Sequence, residues 1–260
     1  MGSSVQYSLL SGLRAISAWQ QNIARNVTGL LQPGYNLQDL NFDGSPNADT
    51  SASRTPTQST GGRSATSGGA DTLFVGSTQI NFQPGDILPA DSPTSLAVNG
   101  QGFFLVAENL RPGARVFLTR AGNFHYDASG RLVNEQGLFV VGNSGRLTDP
   151  PTPILNPGDG TVPLGQLSLA RVAVPANLQP SGYGSAIYSL PTSAGPLQVF
   201  QNGSAQVGFV QTNSLEFAPR IGLQNELTVE MTESQQAYTM FKNMLDTYNK
   251  AVDDAISLVH

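Results

Sequence analysis

The stretch LQNELTVEMTESQQAYTMFKNMLDTYNKAVDDAISLVH (residues 223–260) decides the architecture of this chain, because it contains neither Gly nor Pro. All 28 glycines and all 17 prolines of the 260-residue chain lie before Leu223. Since these two residues interrupt helices, their absence over such a length predicts one continuous helix. At 1.5 Å per residue that helix is about 57 Å long, which exceeds the diameter of a small domain. We therefore expect one globule to leave part of it uncovered.

The apolar residues of this helix recur at steps of three and four. This spacing places them on one face and is typical of a coiled-coil stripe. The stripe consists of Tyr238, Phe241, Leu245, Tyr248 and Val252. The opposite side carries Asn243, Asp246, Lys250 and Asp254. The segment is therefore predicted to be amphipathic along its length.

A second amphipathic helix is predicted at the other end of the chain. Its apolar residues with the same spacing are Leu9, Leu13, Ile16, Ile23 and Val27. The sequence QPGY at residues 32–35 ends it. Helices at both ends of a chain suggest that they pair. The spacing leaves two alternatives open: an ordinary two-helix layer on a β domain, or a coiled-coil pair that also packs on other subunits.

The region between the helices divides into two parts. Residues 44–71 contain no Val, Leu, Ile, Met or aromatic residue, and most of them are Ser, Thr or Gly. Such a segment cannot bury apolar surface, so we expect either a flexible linker or an extended segment ordered against a neighbour. The following region, up to about residue 218, alternates short apolar runs with Gly and Pro turns, which predicts β structure. The predicted strands are 103–106, 116–119, 123–126, 131–133, 138–141, 165–174, 187–190, 197–200 and 205–211.

The predicted fold class is therefore α+β. The N- and C-terminal helices form a coiled-coil pair, and the middle domain is mainly antiparallel β. The predicted domains are 1–35 together with 223–260 (helical), 36–71 (a flexible polar segment) and 72–222 (β).

Composition excludes several kinds of chemistry. The chain has no Cys and two His, so thiol catalysis, Cys-ligated zinc and multi-His metal sites are excluded. Charged residues make up 12%, with a net charge of −5, which disfavours a nucleic-acid partner. No catalytic motif occurs, and neither a membrane-spanning run nor a cleaved signal peptide is visible. We expect no enzyme, no cofactor and no small-molecule substrate.

Three motifs in the middle domain indicate a family. They are SLAVNGQGFFLV (residues 95–106), FLTRAGNF (117–124) and DASGRLV (127–133). In this order they resemble a block shared by bacterial flagellar rod and hook proteins. The matching residues are Gly100, Gly102, Phe103, Phe104, Thr119, Arg120, Gly122, Phe124 and Gly130. The ends also resemble the family, in NIARN (22–26), PGY (33–35) and QQAY (235–238), although Asn36 stands where Lys or Arg is usual.

The resemblance implies a structural subunit of the flagellar basal-body rod. The terminal helices would form the inner layer of a hollow polymer that transmits torque and encloses the export channel. The two apolar stripes would contact neighbouring subunits, and Asn243, Asp246, Lys250 and Asp254 would face the channel. The length favours the distal rod type. The alternatives are a proximal rod or hook-type protein or, more remotely, a surface β module or adhesin that trimerises through its helices.

The resemblance also implies partners and a location. The partners would be further copies of the chain, other rod and hook subunits, the export apparatus and the surrounding bushing rings. The protein would lie in the basal body, in the periplasm, exported without a cleaved signal peptide.

Overall fold

The structure is a computed structural model that describes residues 2–44, 73–142, 150–219 and 223–257. Most of the predicted polar segment 36–71 lies outside these residues. The chain forms two compact units. The helical unit contains Met1–Ala24, Leu40–Thr78 and Thr228–His260. The β unit contains Arg25–Asp39 and Gln79–Leu227.

The two predicted helices are present. Helix α1 spans Gly2–Gly29, and helix α2 spans Leu223–Ser257 and has 35 residues, or about 52 Å. Within the helical unit, a Cβ atom on Gly12 would overlap the ring of Phe241. Gly12 costs about 1 kcal/mol of helix propensity relative to Ala, and its lack of a side chain makes room for this ring. A regular coiled-coil pairing of α1 and α2 stays a prediction.

The strands follow one another in the middle of the chain, as predicted. In chain order they are β1 Gln38–Gly44, β2 Leu73–Ile80, β3 Asp86–Pro89, β4 Leu96–Asn99, β5 Phe103–Ala107, β6 Val116–Thr119, β7 His125–Tyr126, β8 Leu132–Val133, β9 Phe139–Gly142, β10 Thr152–Pro153, β11 Ser168–Val172, β12 Gln179–Ser181, β13 Gly184–Ser189, β14 Leu197–Gln201, β15 Phe209–Thr212 and β16 Ser214–Phe217.

Strand β5 is the centre of the main sheet, whose order is β12-β13-β6-β5-β9-β8-β7. One edge of β5 pairs with β6 from Phe104 to Ala107. The other edge is shared: its first residues pair with β11 and its last with β9. All three pairings are antiparallel. The predicted, mainly antiparallel β middle is therefore confirmed.

Both faces of β5 are buried. Phe103, Leu105 and Ala107 belong to one apolar cluster, and Phe104 and Val106 belong to another. Successive side chains of a strand point to opposite faces, so the run FFLVA supplies both clusters at once. The continuous apolar run therefore marks a strand that is covered on both sides.

The remaining strands differ in part from the sequence prediction. The sequence predicted no separate strand for β1, β2, β3, β4, β10, β12 or β16. Within the predicted strand 205–211, the first residues form a turn in which the Val207 amide donates to the Ser204 carbonyl (3.1 Å), and β15 begins only at Phe209. Residues Leu164–Gln166 form a short 3-10 helix, and the predicted strand at 165–174 begins at Ser168. These differences arise where turn hydrogen bonds replace strand pairing.

Candidate assembly surfaces

The apolar stripe of α2 is only partly covered. Phe241, Leu245, Tyr248 and Val252 are half-buried, and Tyr238 is 40% exposed. The least exposed row of the helix follows these positions, as the three- and four-residue spacing requires. Their contact with other subunits stays a prediction.

The stripe of α1 changes along its length. Ile16 and Ile23 are buried, whereas Leu9 and Leu13 are half-buried. Val27, in the part of α1 that belongs to the β unit, is 48% exposed. Leu31, one turn further on, is 74% exposed. The C-terminal end of α1 therefore presents uncovered apolar side chains.

The four polar residues proposed to face a channel are all exposed. They are Asn243, Asp246, Lys250 and Asp254. Since consecutive residues of an α-helix differ by about 100° around its axis, these positions lie on the side opposite the row that contains Phe241 and Leu245. Their orientation toward a channel stays a prediction.

A third face of α2, which the sequence analysis missed, carries exposed apolar residues. Val229, Met240 and Met244 are 54%, 51% and 49% exposed. A shallow open groove of about 880 Å³ runs along this side of the helix. Its lining contains no charged residue: Thr232, Gln235, Gln236, Thr239, Met240, Asn243, Met244, Thr247, Tyr248 and Ala251. The steps of four, three and four from Met240 through Met244 and Thr247 to Ala251 are the signal that could have found it. We call this surface the methionine face.

The motif residues of the β unit build its turns and core. Gly100 and Gly102 have φ angles of 112° and 125°, which disfavour any residue with a side chain. A Cβ on Gly122 would overlap the carbonyl oxygen of Leu96. The rings of Phe104 and Phe124 meet edge to face with their centroids 5.2 Å apart. The motif is therefore a folding signature.

Other motif residues have structural contacts of the same kind. Phe103 is buried in the apolar cluster that it shares with Leu105 and Ala107, and Gly130 (φ 71°) completes a turn in which its amide donates to the Asp127 carbonyl. The Thr119 hydroxyl donates to the Ala186 carbonyl at 2.7 Å. The side-chain exposure of Arg120 is 7%, and its guanidinium lies 5.4 Å from the ring centroid of Phe103. Its acidic partner, Glu216, was not identified from the sequence.

The segment after α1 is held by buried polar side chains. The Tyr35 hydroxyl donates to Asn26 Oδ1 at 2.9 Å, and the same oxygen accepts the Gln38 amide at 3.0 Å. Asn36 Nδ2 donates to the Tyr188 hydroxyl at 3.0 Å. This contact gives Asn36 a buried structural role.

Burial changes the titration of both tyrosines. Desolvation raises the pKa of Tyr35 to about 12, because the phenolate loses more solvation on burial than the phenol does. Desolvation also raises the pKa of Tyr188 above its usual range. Both hydroxyls are therefore held in the neutral form throughout the physiological range.

The described part of the chain offers little for catalysis or metal binding. Among its residues there is no group of three or more His, Asp or Glu side chains that could hold a metal ion. None of its helices is both long and apolar enough to cross a bilayer. Asp127 accepts the amides of Ser129 and Arg131 through Oδ1, as expected of a β-turn residue.

Comparison with known proteins connects the β unit to a family. Residues 97–182 match the model of the flagellar hook protein FlgE/F/G D1 domain. The flagellar basal-body rod protein FlgG of Buchnera aphidicola is 27% identical over 189 residues, which are 66% of this chain and 67% of that protein.

Two hook proteins named FlgE are also similar. The one from Rhizobium meliloti is 29% identical over 206 residues, which cover 79% of this chain and 43% of that protein. The one from Treponema pallidum is 28% identical over 137 residues, 52% of this chain and 28% of that protein. The chain thus spans less than half the length of these hook proteins. The resemblance found in the sequence is confirmed: the chain is similar to flagellar rod and hook proteins, and residues 97–182 match the model of their D1 domain.

Proposed function

We propose that the chain is a structural subunit of the flagellar basal-body rod, of the distal type. The observation that carries this proposal is the incomplete burial of α2, whose methionine face is apolar, uncharged and open. A surface of this kind is stabilised when another apolar surface covers it. The relationship to rod and hook proteins makes further copies of the chain the natural partner.

The terminal helices are proposed to pair as a coiled coil and to form the inner layer of a hollow polymer. The close approach of Gly12 to the Phe241 ring supports the pairing. In the polymer, the partly covered stripes and the methionine face lie against neighbouring subunits. Asn243, which lies where the methionine face borders the polar side of α2, faces the channel together with Asp246, Lys250 and Asp254. Their mixed charges avoid a strong field that would retain export substrates.

The choice of rod over hook rests on coverage. The rod protein of Buchnera aphidicola is matched over 67% of its length and the hook protein of Rhizobium meliloti over 43%. A proximal rod or hook-type protein is the nearest alternative. The proposed setting is the periplasmic part of the basal body, reached through flagellar export without signal cleavage. The proposed partners are other rod and hook subunits, the export apparatus and the surrounding rings, and the role is not enzymatic.

Electron microscopy of the purified protein at rising concentration tests the proposal. We expect tubes with the wild-type chain and none with Leu245→Asp or Leu13→Asp, because a buried carboxylate without a partner is strongly unfavourable between subunits. The β unit should stay folded in both variants. Asp246→Asn, on the opposite side of α2, is the matched control and should still assemble.

Two results would contradict the proposal. A discrete trimer with protease-resistant ends would favour the adhesin alternative. Tubes formed equally well by Leu245→Asp would show that the apolar stripe of α2 has no part in assembly.

A further inference from the structure

Arg120 and Glu216 form a buried ion pair in the β unit. Arg120 Nη1 lies 3.0 Å from Glu216 Oε2, and the two side chains are 7% and 6% exposed. Burial of an ion pair costs several kcal/mol of desolvation free energy per ion. The attraction within the pair offsets this cost only where further hydrogen bonds satisfy the remaining donors and acceptors of both side chains. Those further bonds show what the pair connects.

On one side, Arg120 is anchored to the turn that follows β4. Its Nη1 donates to the Val98 carbonyl at 3.2 Å and its Nη2 donates to the Gly100 carbonyl at 2.8 Å. The planar guanidinium reaches all of these acceptors without a change of rotamer, which a lysine could not do. The cation is therefore bonded to the end of β4 and to the turn that follows it.

On the other side, Glu216 receives two backbone amides from distant parts of the chain. Its Oε1 accepts the Gly85 amide at 3.0 Å, and its carbonyl oxygen accepts the Gly34 amide at 2.7 Å. Gly34 has a φ of 69°, and a Cβ there would overlap the backbone of Ala121. The segment that follows α1 therefore packs closely against the backbone next to Arg120. It is also hydrogen-bonded to β16, the strand that precedes α2.

The space at this meeting point is too small for a ligand. The cavity lined by both segments, Arg120 and Glu216 has a volume of about 20 Å³. That is room for a single water molecule. The described side chains here leave no buried nitrogen or oxygen without a hydrogen-bond partner. The segments here are consequently packed against each other and hydrogen-bonded, without room for a ligand between them.

We propose that the Arg120–Glu216 pair acts as a joint that attaches both residues 30–39 and residues 214–219 to the β unit. Because both segments depend on the same pair, neither loosens without the other. The first of these segments follows α1 in the chain, and the second precedes α2. This inference concerns the β unit alone and does not depend on polymer formation.

Hydrogen exchange of the full-length chain, at a concentration too low for assembly, tests the joint. In Arg120→Met, we expect the amides of both segments, that of Gly34 included, to exchange at least tenfold faster, together with the amide of Gly85, which Glu216 Oε1 accepts. The amides of β5 should change far less. Arg131→Met is the matched control: Arg131 pairs with Asp127 at 2.7 Å, but the two side chains are 34% and 22% exposed. It should leave both segments protected.

A second variant keeps the test independent of overall stability. Arg120→Met/Glu216→Gln carries no unpaired buried charge, so it should recover stability relative to Arg120→Met while both segments stay loosened. If the amides of both segments exchanged as slowly in the double variant as in the wild-type chain, the proposed joint would be contradicted. It would also be contradicted by acceleration in one segment alone, or by an equal loss of protection throughout the β unit in both Arg120 variants.

Discussion

Strand β5 and helix α2 bury their apolar residues to very different degrees. All five residues of β5 are buried, and Phe104 and Val106 are fully inaccessible. In the helical unit, Met240, Met244 and Val229 keep about half their surface in solvent. At about 25 cal/mol per Å² of apolar area, the strand has already gained its hydrophobic stabilisation, and the helix has much of it still to gain. The difference indicates that the β unit is complete within one chain and that α2 is not.

The largest effect is expected from opening the core around β5. Phe104→Ala should lower the free energy of unfolding of the β unit by about 3–5 kcal/mol, because it removes a fully buried ring and leaves a cavity. Urea unfolding, followed by circular dichroism, measures the change. Val229→Ala, on the exposed side of α2, is the control. A loss below about 1 kcal/mol for Phe104→Ala would contradict the contrast between the two regions.

Removal of the buried cation should have an effect nearly as large. Arg120→Met leaves the Glu216 carboxylate buried without its counter-charge, which costs about 3–5 kcal/mol. Arg131→Met removes a partly exposed pair and should cost less than about 1 kcal/mol. Urea midpoints of the two variants under identical conditions give the comparison. Equal midpoints would mean that burial does not distinguish these pairs.

Alkaline pH should weaken the β unit by a smaller amount. Tyr35 has a pKa of about 12 in the folded chain, and an unfolded tyrosine ionises near pH 10. Its contribution is therefore fully present below pH 10 and is lost as the pH rises from 10 to 12, by roughly 2–3 kcal/mol. Unfolding free energies measured across this range give the slope. Tyr35→Phe should flatten the slope in part, since Tyr188 also has a raised pKa; an unchanged slope would exclude Tyr35 as its source.

The smallest effect on stability is expected at the methionine face. Met240→Gln/Met244→Gln should change the free energy of unfolding of the monomer by no more than about 0.5 kcal/mol, because both side chains are exposed. The same variant should assemble poorly in a sedimentation assay, since it removes apolar surface from the proposed interface. A loss of stability above about 1 kcal/mol would mean that this face is already covered within the chain.

Local patterns explain why the helices and the central strands were predictable. Residues 223–257 lack Gly and Pro, and β5 and β6 are continuous apolar runs separated by an obvious turn. The pairing of β3 with β16 was not predictable, because it joins segments about 130 residues apart without a distinctive pattern. The partner of Arg120 was missed for the same reason.

The surface of α2 shows a second kind of limit. The heptad spacing predicted the stripe that contains Phe241 and Leu245. The methionine face follows the same three- and four-residue spacing beside that stripe and was not predicted. Asn36 was recognised only as a departure from the family, because nothing in the sequence places it next to Tyr188. Patterns along the chain identify elements, whereas contacts between distant elements require the fold.

Hydrogen exchange of the full-length protein in dilute and in concentrated solution tests the central claim most directly. We predict that the amides of β5 are equally protected in both, whereas those of α2 from Thr232 to Ala251 exchange quickly in the monomer and become protected on concentration. Protection of α2 equal to that of β5 in the dilute monomer would contradict the claim that the helix is incomplete within one chain.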